Sequence, residues 1–458
     1  MGFKCAALLH NSMMLERRSI RDRYDALWLR FHDEDVMTIK EGLLATPAAS
    51  TAQTPPFAMP SERRGAIARG NKKTGPAIFS YGFRPFFLGG AIWAVLAMLL
   101  WILSLTFGLT VGGAYGALNW HAHEMVFGFS SAILAGFLLT AVPNWTGRLP
   151  VSGHSLALLF SVWLLGRLVF LVPDLVNLYI AIGIESLFLP LLLFIASREI
   201  IAGHQWKNLK VLIGVAIVML ANICFHYLAI TNGDIAIANR AGVSAYVLLV
   251  MLIGGRIIPS FTRNWLNRMG ANRFPKPFNR YDGLAIVVGA IACVSWTVAP
   301  EHSLTAVIAI IAACLHLVRL YRWRGWSVAK DKLVLVLHVA YFFVPVGFVA
   351  IAAAAIEQLN PFSALHVMTV GVIGCMMLAV MTRATRGHTG RELVASPTTQ
   401  IAYLCLILSA IIRPFAEMMP NFFHTLLAAS ALFWMLAFGL YVLEYAPMLM
   451  TKRRQRTE

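Results

Sequence analysis

A chain of 458 residues that is 59% hydrophobic and 13% charged, with a mean hydropathy of +0.70, has too little polar surface to coat a water-soluble globule. Its formal net charge of +17 would suit nucleic acid, but in a lipid-solvated chain Lys and Arg report orientation, so nucleic acid is not an expected partner. The six cysteines show no paired spacing, and five of them (Cys224, Cys293, Cys314, Cys375, Cys405) sit in apolar runs, which excludes a disulfide framework.

Residues 1–80 carry mixed charge, then TPAASTAQTPP, then a basic stretch from Arg63 to Lys73. That composition predicts a disordered cytoplasmic N-terminal extension. No apolar run of signal-peptide length precedes Phe86, so no cleaved leader is expected. From Phe86 onward, apolar runs of about 20 residues recur, each long enough to cross a hydrocarbon core of about 30 Å. They predict twelve spans at 86–108, 122–143, 155–173, 175–196, 208–230, 238–260, 281–299, 303–321, 332–356, 363–384, 398–415 and 422–448. The alternating segments of about ten residues that mark a transmembrane barrel do not occur. The expected fold class is an all-α polytopic membrane protein, with a twelve-helix domain over residues 81–451 and a basic cytoplasmic tail at 452–458.

With the N-terminus in the cytoplasm, alternation through twelve spans leaves all but three of the 38 Lys and Arg on the inner side or in the terminal segments. The exceptions are Arg167, Arg240 and Arg413. The loops at 110–120, 173–175, 231–237, 299–303, 357–362 and 416–421 contain no Lys or Arg, as the outer face should. Both termini are therefore expected inside.

An internal repeat appears when HEMVFGFSSAILAGFLLTAVPNWTGR from His123 is laid without gaps over HVMTVGVIGCMMLAVMTRATRGHTGR from His366. The pairs are His123 with His366, Met125 with Met368, Gly128 with Gly371 and Arg148 with Arg391. The sixth helix fits more weakly, with Asn239 at the histidine position, Pro259 on Pro143 and Thr262 on Thr146. Three pseudo-repeated four-helix units in parallel topology are expected.

Histidines within lipid are costly and mark candidate sites, although many serve only as interhelical hydrogen-bonding groups. His121, His123, His226 and His366 share the outer layer. Two imidazoles at equal depth on neighbouring helices can sandwich a haem, and His123 with His366 is the expected axial pair. His121 lies about 200° around the helix from His123 and is assigned to a second site. Arg167, Arg240 and Arg413 stand at similar depth and are candidate propionate contacts, with pairing to Glu124 the alternative for Arg240. In the inner half, His316 and His338 are within reach of each other. They form a candidate copper site with Cys314, methionines or His388, against the bland reading of a histidine pair bonded to backbone carbonyls. His121 with His226 is an equally open metal pair. Glu124 and Glu185 are candidate members of a proton route, and Glu444 is a third intramembrane acid.

The motifs GFRPFF at 82–87, NWHAHEMVFGF at 119–129, AGFLLTAVPNWTGR at 135–148, IGGRIIPSFTRN at 253–264 and MTRATRGHTGR at 381–391 resemble the NnrS family over residues from about 80 to 450. The resemblance implies a haem b and copper protein of the bacterial inner membrane that answers nitric oxide and relieves nitrosative stress. The architecture is also similar to the catalytic subunit of haem-copper oxidases and nitric oxide reductases, at fold level only. Those enzymes carry metal ligands on their sixth and seventh helices; here neither contains histidine, which argues against a standard binuclear centre. Two functions follow as expectations. The first is a redox haem protein that binds or converts nitric oxide, drawing electrons from a quinone or cytochrome. The second is a transporter or handling protein for haem or copper, or a nonenzymatic gas sensor, which the Met-rich tenth helix (Met368, Met376, Met377, Met381) would also suit.

Overall fold

The computed structural model describes residues 75–172 and 175–454. The expected disordered extension up to residue 74 and the last four residues of the tail lie outside them. Within lipid every backbone N–H and C=O needs an internal partner, and long apolar runs meet that demand as helices. Among the described residues, twelve helices long and apolar enough to cross a membrane result: α1 Phe83–Phe107, α2 Ala117–Thr146, α3 His154–Leu171, α4 Leu178–Ala202, α5 Trp206–Ile230, α6 Ala236–Arg268, α7 Arg280–Val298, α8 Ser303–Arg322, α9 Lys332–Ala355, α10 Pro361–His388, α11 Pro397–Phe415 and α12 Pro420–Met450. No strand occurs among the described residues.

All twelve expected spans are present, and the differences lie at their ends. Helix α6 continues eight residues past its apolar run, through Arg263 and Arg268, because a helix need not stop where hydrocarbon does. Local chemistry sets several starts. Asn279 and Asp282 form a capping box at α7, the Asp331 carboxylate accepts from the N–H groups of Leu333 and Val334 at α9, and Pro follows the cap at Asn360 and Ser396.

Two interruptions position the site. Straight after His123, α2 passes into a π-helical segment, Glu124–Phe129, and straight after His366, α10 does the same over Val367–Gly374. The offset of 243 that sets His123 on His366 also sets 124 on 367, so the sequence repeat has a backbone counterpart. The third repeat position shows no such segment: α6 is α-helical throughout. Helix α4 breaks at Leu187, between Leu178–Ser186 and Phe188–Ala202. Pro190 lacks the N–H that would bond the Ser186 carbonyl, and Glu185 sits beside that break.

Successive helices pack against one another, and α12 returns to pack on α1. Helices α2, α6 and α10 meet in the interior. Their apolar windows are 83%, 61% and 78% buried, and α9 reaches 72%, against 28–50% for the other spans. The outward faces of those other helices carry the large exposed side chains, such as Leu158, Phe194 and Leu443, that lipid would solvate.

Candidate functional site: two histidine clusters at one end of the bundle

His121 and His123 lie two residues apart at the start of α2, on opposite sides of the helix, and each enters a different cluster. Around His123 the polar groups of five elements interlock. Arg167 of α3 is 1% exposed and bridges two carboxylates: Nη1 donates to Glu124 Oε2 at 2.5 Å and Nη2 to Glu185 Oε1 at 2.6 Å. Trp93 Nε1 of α1 also donates to Glu124 Oε2, at 2.8 Å. On α5, one turn apart, Asn222 Nδ2 and His226 Nε2 each donate to Glu185 Oε2 at 2.8 Å.

Asn222 Nδ2 is thus committed to Glu185, so Asn222 Oδ1 is the atom that faces His123 Nε2, at 2.9 Å. His123 Nδ1 lies 3.0 Å from Glu124 Oε1. Both partners are acceptors, so the His123 ring donates through both nitrogens. Two carboxylates then stand against one guanidinium and one doubly protonated imidazole, a balance without which four such groups could not be buried together. From the loop before α2, the Tyr115 hydroxyl meets His226 Nδ1 at 3.1 Å. Burial, with Glu185 and Glu124 nearby, pushes the Tyr115 phenol above its usual range and keeps it a hydroxyl. Phe170 stacks on the His123 ring with centroids 5.2 Å apart, and Phe127 and Phe225 close the remaining sides. Gly128 is required here, because a Cβ would land on the Arg167 guanidinium and the Glu124 carboxylate.

The His121 face lines a cavity of about 410 Å³, bounded also by His366, Arg240, Arg413, Trp101 and Trp434. The His121 ring stacks on Trp101 with centroids 4.4 Å apart and planes at 10°, and its buried Nδ1 has no partner among the described residues. His366 Nδ1 donates to the Phe362 carbonyl at 2.7 Å, so in the neutral form of the ring Nε2 is the lone-pair nitrogen. Arg413 Nη1 holds both oxygens of Glu417, at 2.7 and 2.8 Å, and Arg240 donates to the Thr297 carbonyl at 3.3 Å.

A family model described as NnrS protein matches residues 77–453, a stretch that contains both clusters. The chain belongs to the NnrS family. No curated protein matches it. Haem and copper, expected from the sequence resemblance, are the groups to test against these residues. A haem in this cavity would meet imidazoles from α2 and α10, each with a ring nitrogen that has no side-chain partner, and the guanidiniums of Arg240 and Arg413 in the lining.

The histidine pairing differs from the one expected. His366 shares its cavity with His121, whereas His123 packs against His226, with ring centroids 4.6 Å apart. The cause is the angular offset along one helix: the alternatives His123 with His366 and His121 with His226 each join residues on opposite sides of α2. Arg167 is consumed by Glu124 and Glu185, so of the three outer arginines only Arg240 and Arg413 reach the cavity. Arg240 does not pair with Glu124. Glu185 and Glu124 are both in the His123 cluster.

The inner copper set is not assembled either. His316 Nδ1 bonds the Tyr341 hydroxyl at 2.8 Å and His338 Nε2 the Thr262 hydroxyl at 2.8 Å, while Trp323 packs against both Tyr341 and His338. The remaining nitrogens, His316 Nε2 beside Gly289 and His338 Nδ1 beside Gly325, are buried without a hydrogen-bond partner among the described residues, and the two histidines do not come together with a third ligand there. Cys314 is exposed on the bundle surface, and His388 stacks on Tyr81 with centroids 5.7 Å apart. Glu444 is tied to Arg386, Ser396 and Thr399 at 2.5, 2.7 and 2.8 Å, which fastens the C-terminal ends of α10 and α12 to the start of α11.

Sequence reasoning passed over Asn222, Tyr115, Trp93 and Trp101. Asn222 did carry a signal, since it lies one turn before His226 on the same face of an apolar helix. Tyr115 and the tryptophans look like ordinary amphipathic residues near a membrane surface until the fold shows what they touch.

Proposed function

We propose that this NnrS protein binds haem b in the cavity between His121 and His366, and through it binds or converts nitric oxide to protect against nitrosative stress. The observation that carries the reading is the convergence of two imidazoles from α2 and α10 on one cavity that also contains Arg240 and Arg413. His366 has its ring orientation set by the Phe362 carbonyl, the arrangement that raises the ligand strength of the opposite nitrogen. Trp101 holds the His121 plane. Arg240 and Arg413 would meet the propionates with charge-assisted hydrogen bonds. Bound haem supplies a redox-active iron centre.

The route for a small neutral gas has support in an apolar groove of about 70 Å³ between α2, α6 and α10, lined by Ile133, Phe137, Tyr246 and Met377, which shares Ile373 with the cavity. In this reading the protein lies in the bacterial inner membrane with both termini in the cytoplasm, copper accompanies the haem, and a membrane quinone or cytochrome donates electrons.

The test is the optical spectrum and metal content of detergent-purified protein. The expected result is one haem per chain with a bis-histidine spectrum, lost in His121→Ala and His366→Ala and altered by nitric oxide under reducing conditions. Stoichiometric haem that neither binds nor consumes nitric oxide would overturn the reading. Haem that is substoichiometric and readily exchanged would favour haem handling, and binding without turnover would favour a sensor.

A further inference from the structure

The second cluster, on the far side of α2 from the cavity, has the chemistry of a metal centre of its own. His123, Glu185 and His226 each present one ligand atom, all within 4.8 Å of one another, and all three side chains are buried. His226 Nε2 stands 2.8 Å and His123 Nε2 3.6 Å from the same Glu185 oxygen. Ligands of one ion, each at about 2.0 to 2.2 Å from it, fall at comparable separations from one another. The partners behind the ligands are also in place. His123 Nδ1 is held by Glu124, His226 Nδ1 by the Tyr115 hydroxyl, and the second oxygen of Glu185 by Arg167. A carboxylate or hydroxyl behind each ligating imidazole is the arrangement that fixes ring orientation and tautomer in metal sites.

We propose that His123 Nε2, His226 Nε2 and a Glu185 oxygen bind a single divalent first-row transition-metal ion. Two imidazoles and one carboxylate favour Zn(II), Fe(II) or Cu(II) and disfavour Cu(I), which selects sulfur. Among the described residues no cysteine joins the group. When the ion enters, the proton that His123 Nε2 donates to Asn222 leaves the site. The proton on His226 Nε2 moves to Nδ1, where the Tyr115 oxygen changes from donor to acceptor. One proton is therefore released per ion bound, and Asn222 Oδ1 is left free to face the metal. The charged groups facing the ion are Glu124 from α2, Arg167 from α3 and Glu185 from α4.

This site is independent of the haem reading, because its ligands and those of the cavity lie on opposite faces of α2.

The experiment is metal analysis of purified protein by mass spectrometry, followed by titration of chelator-treated protein with Co(II) as a spectroscopic probe, with haem measured on the same samples. Wild type is expected to retain about one ion per chain and to give Co(II) d–d bands of low-coordinate nitrogen and oxygen ligation. His226→Gln and Glu185→Gln are expected to lower the ion content at least tenfold, while His121→Ala and His366→Ala lose haem and keep the ion. The proposal is overturned if wild type binds no Co(II) above the level of a His226→Gln sample, or if both ligand variants keep a full ion. Should neither variant fold, wild-type titration still decides: octahedral aquo-type Co(II) bands also overturn it. Wild-type protein that holds the ion but no haem sinks the haem reading alone.

Discussion

Arg167→Met is the most informative single substitution. Methionine keeps much of the length of the side chain and removes the charge, so Glu124 and Glu185 lose the bridge made at 2.5 and 2.6 Å in a place where Arg167 is 1% exposed. Removing one member of a buried ion pair costs about 3 to 5 kcal/mol, because the partner's charge stays buried without compensation. The internal control is Arg148→Met. Its pair with Glu199 has an equally short distance, 2.5 Å, but the side chain is 45% exposed, so solvent screens it and the expected cost is about 0 to 1 kcal/mol. Thermal midpoints of the detergent-solubilised proteins, read by circular dichroism, separate the two. A double variant, Arg167→Met with Glu185→Gln, should melt higher than the sum of the single losses predicts, since the second change removes one of the stranded charges. If Arg167→Met melts with Arg148→Met, close to wild type, the charge-balanced network does not hold this end of the bundle and the reasoning fails.

Gly128→Ala should approach Arg167→Met in severity, because its methyl group displaces the guanidinium and the Glu124 carboxylate together; a midpoint equal to wild type would show that the helices part easily. Tyr115→Phe removes one buried hydrogen bond to His226 and should cost about 1 kcal/mol in stability, leaving any haem spectrum unchanged. Arg413→Ala and Arg240→Ala should each weaken haem retention by roughly tenfold, the equivalent of about 1.5 kcal/mol for a hydrogen bond to a charged group, measured as transfer to an apo-haem acceptor; unchanged transfer rates would remove the propionate assignment. In a background without native cysteines, Asn232→Cys between α5 and α6 should be labelled by an impermeant thiol reagent applied to the outer face, and Asn272→Cys between α6 and α7 only after the membrane is opened. The reverse pattern would invert the topology.

The twelve spans, their order and the one-sided distribution of Lys and Arg were legible in the sequence, because lipid imposes a length and a polarity on every crossing segment regardless of what it packs against. The repeat of His123 on His366 was legible too, and the paired π-helical starts at 124 and 367 give it a backbone counterpart. Sequence spacing also showed that His121 and His123 face opposite ways on one helix. It left open which of them meets α10 and which meets α5, since that depends on the rotation of α2 about its own axis. Rotation is settled by packing: Arg167 reaching across to Glu124, Gly128 clearing space for it, and Trp101 stacking on His121 turn the helix so that His123 faces α5 and His121 faces the cavity with His366. Depth in the membrane is a one-dimensional property that a sequence carries directly. Azimuth around each helix is decided by neighbours far away in the chain, and here it decided which histidines share a site.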